Sequence, residues 1–381
     1  MSLAQPAPTP SRWLRAALPA MFILLGVIYA TWASRLPAIR DLRVLDAATL
    51  GTILLGGGLG AVLSFPLAAW LLAHYGARRA ALYAGLGLLF GLPLLGVLPN
   101  WWLLFAGVFV LGAASSCFDV AINAIGAEQE REAGRSIMSM LHAWFCVGTF
   151  SGALVGSAAA GLGLSPLWHF LLVAFVLLLM LICAYRILPC DAPDPDAGKK
   201  HFALPHGALI WLGLIAFLGA ISEGSLTDWI SLYLTDHLHA SEAGAPLGYA
   251  AFAGAMLVAR LVGDRLKDRF GARRLVAGSS LLAAVGLGVA IAAPSFGVAV
   301  IGFVLTGLGV AAVFPCLFSA AGREGPTALA GVATLGYSGS LMGPPLMGYA
   351  IHGYGYVFGM ALLAVVSVFV AVAAMRARLL V

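Results

Sequence analysis

Four long stretches of this chain contain no Asp, Glu, Lys or Arg: residues 80–118, 136–185, 275–322 and 325–375. Each is too long for one membrane-crossing helix of roughly 20 residues and long enough for two. Each also carries a turn signal near its middle, at Pro99-Asn100, Ser165-Pro166, Pro294-Ser295 and Gly353-Tyr354-Gly355. Four helical hairpins make eight spans. Further apolar segments at about 13–38, 47–73, 207–235 and 243–265 bring the expected total to twelve. Charged residues make up only 10% of the chain, where a soluble domain carries about 25%. Lipid, not water, is the solvent this sequence is written for, and the expected fold class is an all-α membrane protein.

The twelve spans are written as two sets of six. Gly76-Ala77-Arg78-Arg79 recurs as Gly271-Ala272-Arg273-Arg274, 195 residues later, and at the same offset Gly107 matches Gly302 and Gly112 matches Gly307. Such internal duplication is the pattern of a two-lobed transporter. Residues 1–188 are expected to form one six-helix bundle and 206–381 the other, in pseudo-symmetric relation. The Pro- and Asp-rich segment 189–205 reads as an extended linker between them. With the N-terminus inside, 18 of the 21 Lys and Arg fall on the cytoplasmic side and only Arg35, Arg40 and Arg43 fall outside. Basic residues favour the cytoplasmic face, so both termini are expected in the cytoplasm.

Several functions are disfavoured. The net charge of +5 lies in short knots between apolar spans, which points to lipid head groups rather than nucleic acid. The five cysteines show no paired spacing and read as small apolar side chains, not a metal site. No phosphate-binding Gly-Lys-Ser/Thr loop is present. No cofactor is implied, and an enzyme is not expected.

Candidate functional residues are the polar groups inside the spans. Ser115, Asp119 and Asn123 recur every four residues in the fourth span and share one helix face. A carboxylate at such depth usually faces a bundle interior or an aqueous cavity, so Asp119 is the first candidate for a proton site; the bland alternative is a structural hydrogen bond to Asn123. In the seventh span Glu223, Thr227 and Ser231 share a face, with Asp228 nearer the outer end. Glu223 is a second proton-site candidate, or a substrate ligand. Tyr29 and Trp32 in the first span, Trp229 in the seventh and Tyr337 in the eleventh offer aromatic faces to a solute. His142 lies on the same face of the fifth span as Cys146 and Thr149. Arg35 and Asp228 both approach the outer surface and are expected to pair as an outer gate; the alternative is that Arg35 reaches out to lipid head groups.

The second basic knot, Asp264-Arg265-Leu266-Lys267-Asp268-Arg269-Phe270-Gly271-Ala272-Arg273-Arg274, resembles the loop motif of the major facilitator superfamily. The first knot has the same frame with Ala73 in place of the usual Asp. The resemblance implies twelve helices, alternating access, a bacterial inner membrane and a monomer. It makes Arg78, Arg79, Asp268, Arg269, Gly271 and Arg273 candidates for cytoplasmic gating. Cys117-Phe118-Asp119-Val120-Ala121-Ile122-Asn123-Ala124 further resembles the fucose-permease branch, with Asp for Glu and Ala124 for the usual Pro. That resemblance implies a proton carrier at Asp119 and a cavity residue at Asn123. The expected function is proton-coupled symport of a small polar solute such as a sugar. The alternative is proton-driven efflux. The antiporter-like Gly-x-x-x-Gly-Pro occurs here as residues 339–344, in the eleventh span rather than the fifth.

Overall fold

A computed structural model describes residues 12–133, 137–188 and 207–380. The linker expected at 189–205 lies outside the described residues. The described helices are α1 (Arg12–Arg43), α2 (Ala47–Leu63), α3 (Phe65–Leu95), α4 (Trp101–Ala133), α5 (Met138–Gly161), α6 (Pro166–Ile187), α7 (Leu209–Leu238), α8 (Gly244–Phe270), α9 (Ala272–Ile291), α10 (Phe296–Val310), α11 (Val313–Arg323) and α12 (Pro326–Arg376). These make twelve spans once the backbone breaks are respected. Helix α3 breaks at Gly76 (φ 77°, ψ 165°), so α2 and the first part of α3 form one span across the Ser64-Phe65-Pro66 joint. Helix α12 breaks at Gly355 (φ 84°, ψ 171°) into two, and α10 with α11 cross as one interrupted span. The four turn signals of the sequence fall where the chain reverses. Two features depart from it. Helix α1 runs through Pro37 to Arg43 rather than ending near residue 38, and the tenth span is interrupted between Val310 and Val313.

The duplication is visible in the packing. In the first half α5 and α6 pack on α1, α4 packs on α2 and α3; in the second, α12 packs on α7 and α9, and α10 packs on α8 and α9. Without bulk water between them, such helices gain chiefly from close van der Waals approach, which small residues permit. A Cβ added at Gly112 of α4 would collide with the carbonyl of Gly57 in α2; one added at Gly307 of α10 would collide with the carbonyl of Phe252 in α8. Each contact is the other shifted by 195 residues at both of its ends. Likewise Gly152 lies against Val27 and Ala30, and Gly339 against Phe217 and Ala220.

The two ends of the molecule differ. One end carries the basic knots and the other the turns at 44–46, 96–100 and 239–243. Near the latter, a continuous apolar core joins the halves, including Ile39, Leu50, Trp229, Tyr233 and Met347. Near the basic end the second half has a separate core of its own, built on Leu212, Val276, Leu317 and Ala374. The halves meet through α2 on α12, α5 on α8 and α1 on α7. In the turn before α2, Asp46 accepts the Thr49 amide N–H at 2.7 Å; this bond holds its carboxyl below the usual range.

Candidate functional site

A cavity of about 460 Å³ lies between the halves, within the size range of small-molecule sites. Residues Tyr29 and Trp32 of α1, Asp119 of α4, Glu223, Thr227 and Asp228 of α7 and Tyr337 of α12 line it. Seven sequence candidates from four helices are thus brought together. Their convergence follows from helix periodicity: positions 29 and 32, and 223 and 227, each stack on one face.

Asp119 sits one turn from Asn123, whose side-chain N–H donates to the Asp119 carboxylate at 2.9 Å and to its backbone carbonyl at 2.8 Å. The carboxyl group makes the hydrogen bond of the bland alternative and also lines the cavity. Asn123 itself stands behind Asp119 rather than on the cavity wall. The Ser115 hydroxyl donates to Tyr29 Oη at 2.9 Å, which ties the α4 polar stripe to α1. The Tyr29 ring in turn meets Phe145 edge-on, with centroids 6.0 Å apart. Across the cavity Tyr337 meets Phe65 edge-on at 5.6 Å, bridging the two halves.

Glu223 has a different environment. Arg260 of α8 donates from Nη2 to its Oε1 at 3.0 Å, and from Nη1 to Cys146 Sγ of α5 at 2.7 Å. One guanidinium therefore neutralises a carboxylate of its own half and reaches a thiol of the other. Glu223 Oε2 and Arg260 Nε are buried and have no hydrogen-bond partner among the described residues. Arg260 was missed in the sequence, where it counted with the basic collar. Its depth was the available signal: it lies eleven residues before Gly271, about 16 Å along a helix. Tyr249 was missed as well, and it lines the cavity beside Asp228.

Other candidates lie elsewhere. Trp229 is fully buried in the core, not on the cavity wall. His142 is exposed off the cavity, its ring against Phe22 at 5.5 Å and its Nδ1 at 3.0 Å from the Met138 carbonyl. Arg35 is buried and bonds the Leu164 carbonyl of its own half, so it does not meet Asp228. The pair that joins the halves at that end is instead Arg40 with Asp236, to which Tyr356 also donates. Thr52 with Tyr349 (3.2 Å) and Ser157 with the Ala243 carbonyl (2.6 Å) reinforce this closure. The substitution of Arg40–Asp236 for Arg35–Asp228 follows from α1 continuing past Pro37, which carries Arg40 beyond the cavity roof.

Among the described residues, the arginines of the basic knots bond within their own halves. Arg78 donates from Nε to the Tyr185 carbonyl at 2.9 Å and lies 4.3 Å over that ring. Arg273 donates to the Arg378 carbonyl at 3.2 Å. Each arginine ties its knot to the end of the last helix in its own half. Arg79, Asp268 and Arg269 are exposed, and Arg269 lies over the neighbouring Phe270 ring. Gly271 takes φ 78° between α8 and α9.

Comparison with known proteins fits this architecture. The family profile described as Major Facilitator Superfamily matches residues 17–222 and 212–380. An uncharacterized MFS-type transporter of Yersinia pestis is 36% identical over 86% of both chains. The membrane protein MosC of Rhizobium meliloti is 31% identical over 92% of this chain and 86% of its own. Among solved structures, a mutant of the nucleoside transporter NupG superposes with a TM-score of 0.76 at 14% identity, covering 96% of this chain and 100% of that one. A bacterial homolog of the human lysosomal transporter Spinster, inward-facing and occupied, gives 0.78 at 15% identity and 98% of both chains. At such identities these two structures speak to the fold alone. The duplicated helices, the cavity between the halves and the profile over nearly the whole length agree: this chain belongs to the major facilitator superfamily of membrane transporters.

Proposed function

We propose that this transporter couples proton movement to uptake of a small polar solute, through alternating exposure of the central cavity. The observation that carries the reading is the unequal treatment of two cavity carboxyl groups. Glu223 is matched by Arg260, whereas Asp119 is hydrogen-bonded by the Asn123 amide. A carboxyl group in a membrane interior without a bound cation gains most from taking up a proton. Protonation removes its charge and lowers the cost of closing the cavity around it. The halves then rock about the site, which requires that proton and solute favour the same change.

The basic bias of one end supports an orientation with that end and both termini in the cytoplasm of a bacterial inner membrane. Moving Arg260 into the cavity leaves that bias intact. In this orientation Arg40, Asp236 and Tyr356 join the halves on the outer side. The halves at 1–188 and 206–381 move as the two rocking units, and the chain acts without a chemical step as a monomer.

The test is a screen of labelled sugars, polyols and amines in proteoliposomes with an imposed pH gradient. Wild type should accumulate at least one solute when the gradient points with uptake, and efflux would appear as its depletion. Asp119→Asn should lose gradient-driven accumulation and keep solute exchange at equal pH. Unchanged accumulation in the variant removes Asp119 from coupling.

A further inference from the structure

We propose that the transported solute carries a protonated amine, and that the Asp228 carboxylate receives it beside the rings of Tyr29 and Tyr249. The inference rests on the reading of the central cavity as the transport site. It begins with a charge count. Asp119, Glu223, Asp228 and Arg260 all line the cavity. Glu223 and Arg260 cancel through their 3.0 Å contact. The second Arg260 Nη donates to Cys146, and the charge of this guanidinium is already matched by Glu223. Asp228 has no hydrogen bond or ion pair among the described residues. With Asp119 and Asp228 ionised and His142, the titratable group of α5 whose charge acts on Asp119, neutral, the cavity carries a net charge of two negatives.

The surroundings of Asp228 are suited to an organic cation. Tyr29 of the first half lines the same cavity as Asp119 and Asp228. Tyr249 of α8 lines it as well, with Asp228 and Glu223. An ammonium group is attracted both by a carboxylate and by aromatic faces. A neutral solute would leave Asp228 charged inside a closing cavity unless Asp228 took up a proton of its own, and a carboxylate solute would add a third negative charge to those of Asp119 and Asp228.

The same count explains why two ligands must load together. A proton on Asp119 alone leaves one charge in the cavity, and so does an ammonium on Asp228 alone. Both together bring the cavity to zero. Closure around an unpaired charge is costly, so the doubly loaded carrier changes state most readily.

The experiment uses the purified full-length protein in detergent. Ligands are matched triplets that share one ring and differ in a single group: glucosamine, glucose and glucuronate, and cyclohexylamine, cyclohexanol and cyclohexanecarboxylate, extended to further rings of cavity size. Thermal stabilisation and equilibrium binding are read for each. Stabilisation should come from the amine members. Asp228→Asn should weaken amine binding at least tenfold, and Asp228→Glu should keep the preference for amines. The preference of the wild type is itself diagnostic should the Asn variant fail to fold. Binding confined to neutral or carboxylate members, no binding by any amine, or undiminished amine binding by Asp228→Asn would overturn the assignment. Amine binding with no response to a pH gradient in proteoliposomes would leave Asp228 standing and remove proton coupling instead.

Discussion

The two halves of this transporter share their joints and differ in their charges. At the joints the repetition is close: Gly112 meets Gly57 and Gly307 meets Phe252, with both ends of the contact displaced by 195 residues. Gly76 and Gly271 take φ 77° and 78°. Arg78 and Arg273 each tie the following turn to the last helix of their own half. Inside the cavity the correspondence ends. The first half presents Asp119 with an amide neighbour, and the second presents Glu223 with a guanidinium. Where Ser115, Asp119 and Asn123 stand in α4, the second half has Val310, Phe314 and Phe318. Packing constraints act on both copies alike because each must bury the same helix–helix contacts. The chemistry of the cavity is needed once, so the copies were free to diverge there.

The strongest way to break this comparison is to crowd the joints. Gly112→Val and Gly307→Val each place side-chain carbons where a backbone carbonyl of the neighbouring helix now lies. Overpacking costs about 3 kcal/mol at the upper end of the usual range, and the two variants should lose similar stability in thermal melts. A large loss in one half with none in the other would show that the equivalence is formal and that one joint is slack.

A second experiment sharpens the difference in charge. Glu223→Gln leaves Arg260 without its anionic partner and should destabilise by about 2 kcal/mol, below the loss from a fully buried pair, because the two side chains keep 24% and 17% of their exposure. Glu223→Gln with Arg260→Gln should recover much of that loss, since neither charge is then stranded. Asp119→Asn breaks no ion pair and should melt with the wild type while failing to couple. Equal destabilisation by Asp119→Asn and Glu223→Gln would mean that the first half also holds its carboxylate structurally.

Much of this was legible in the residues. Charge-free stretches and their mid-point turns fixed the number of spans, because membrane thickness sets helix length. Four-residue spacing placed Asp119, Glu223 and Thr227 toward one interior, and three-residue spacing placed Tyr29 with Trp32. What escaped was partner choice across helices. Arg260 counted with the collar because a basic residue near a helix end looks the same whether it turns inward or toward head groups. Arg35 and Asp228 looked suited to one another at similar depth, yet the rotation of α1 gives Arg35 to Leu164. The pair that joins the halves at that end, Arg40 with Asp236, required knowing that α1 continues past Pro37. Trp229 was expected, with Trp32, to offer an aromatic face to a solute and is buried in the core instead. Periodicity states which residues share a face, and only tertiary packing states what that face meets.

The smallest expected effect concerns the basic knots. Gly271 holds φ 78° and ψ 150°, and Gly76 holds φ 77° and ψ 165°. This region is open essentially to glycine alone, and a side chain held there costs about 1–3 kcal/mol. An added Cβ at Gly271 meets no atom within 4 Å, so Gly271→Ala isolates the backbone term and should sit at the low end, about 1 kcal/mol. The Arg78 knot is also held by the Tyr185 ring and carbonyl, which keeps the turn from relaxing. Gly76→Ala should therefore cost more than Gly271→Ala in paired thermal melts. Removing the anchor with Arg78→Ala should bring the two glycine substitutions level. If they differ as much without the anchor as with it, the turns themselves are unlike, and the duplication has drifted at its most conspicuous repeat.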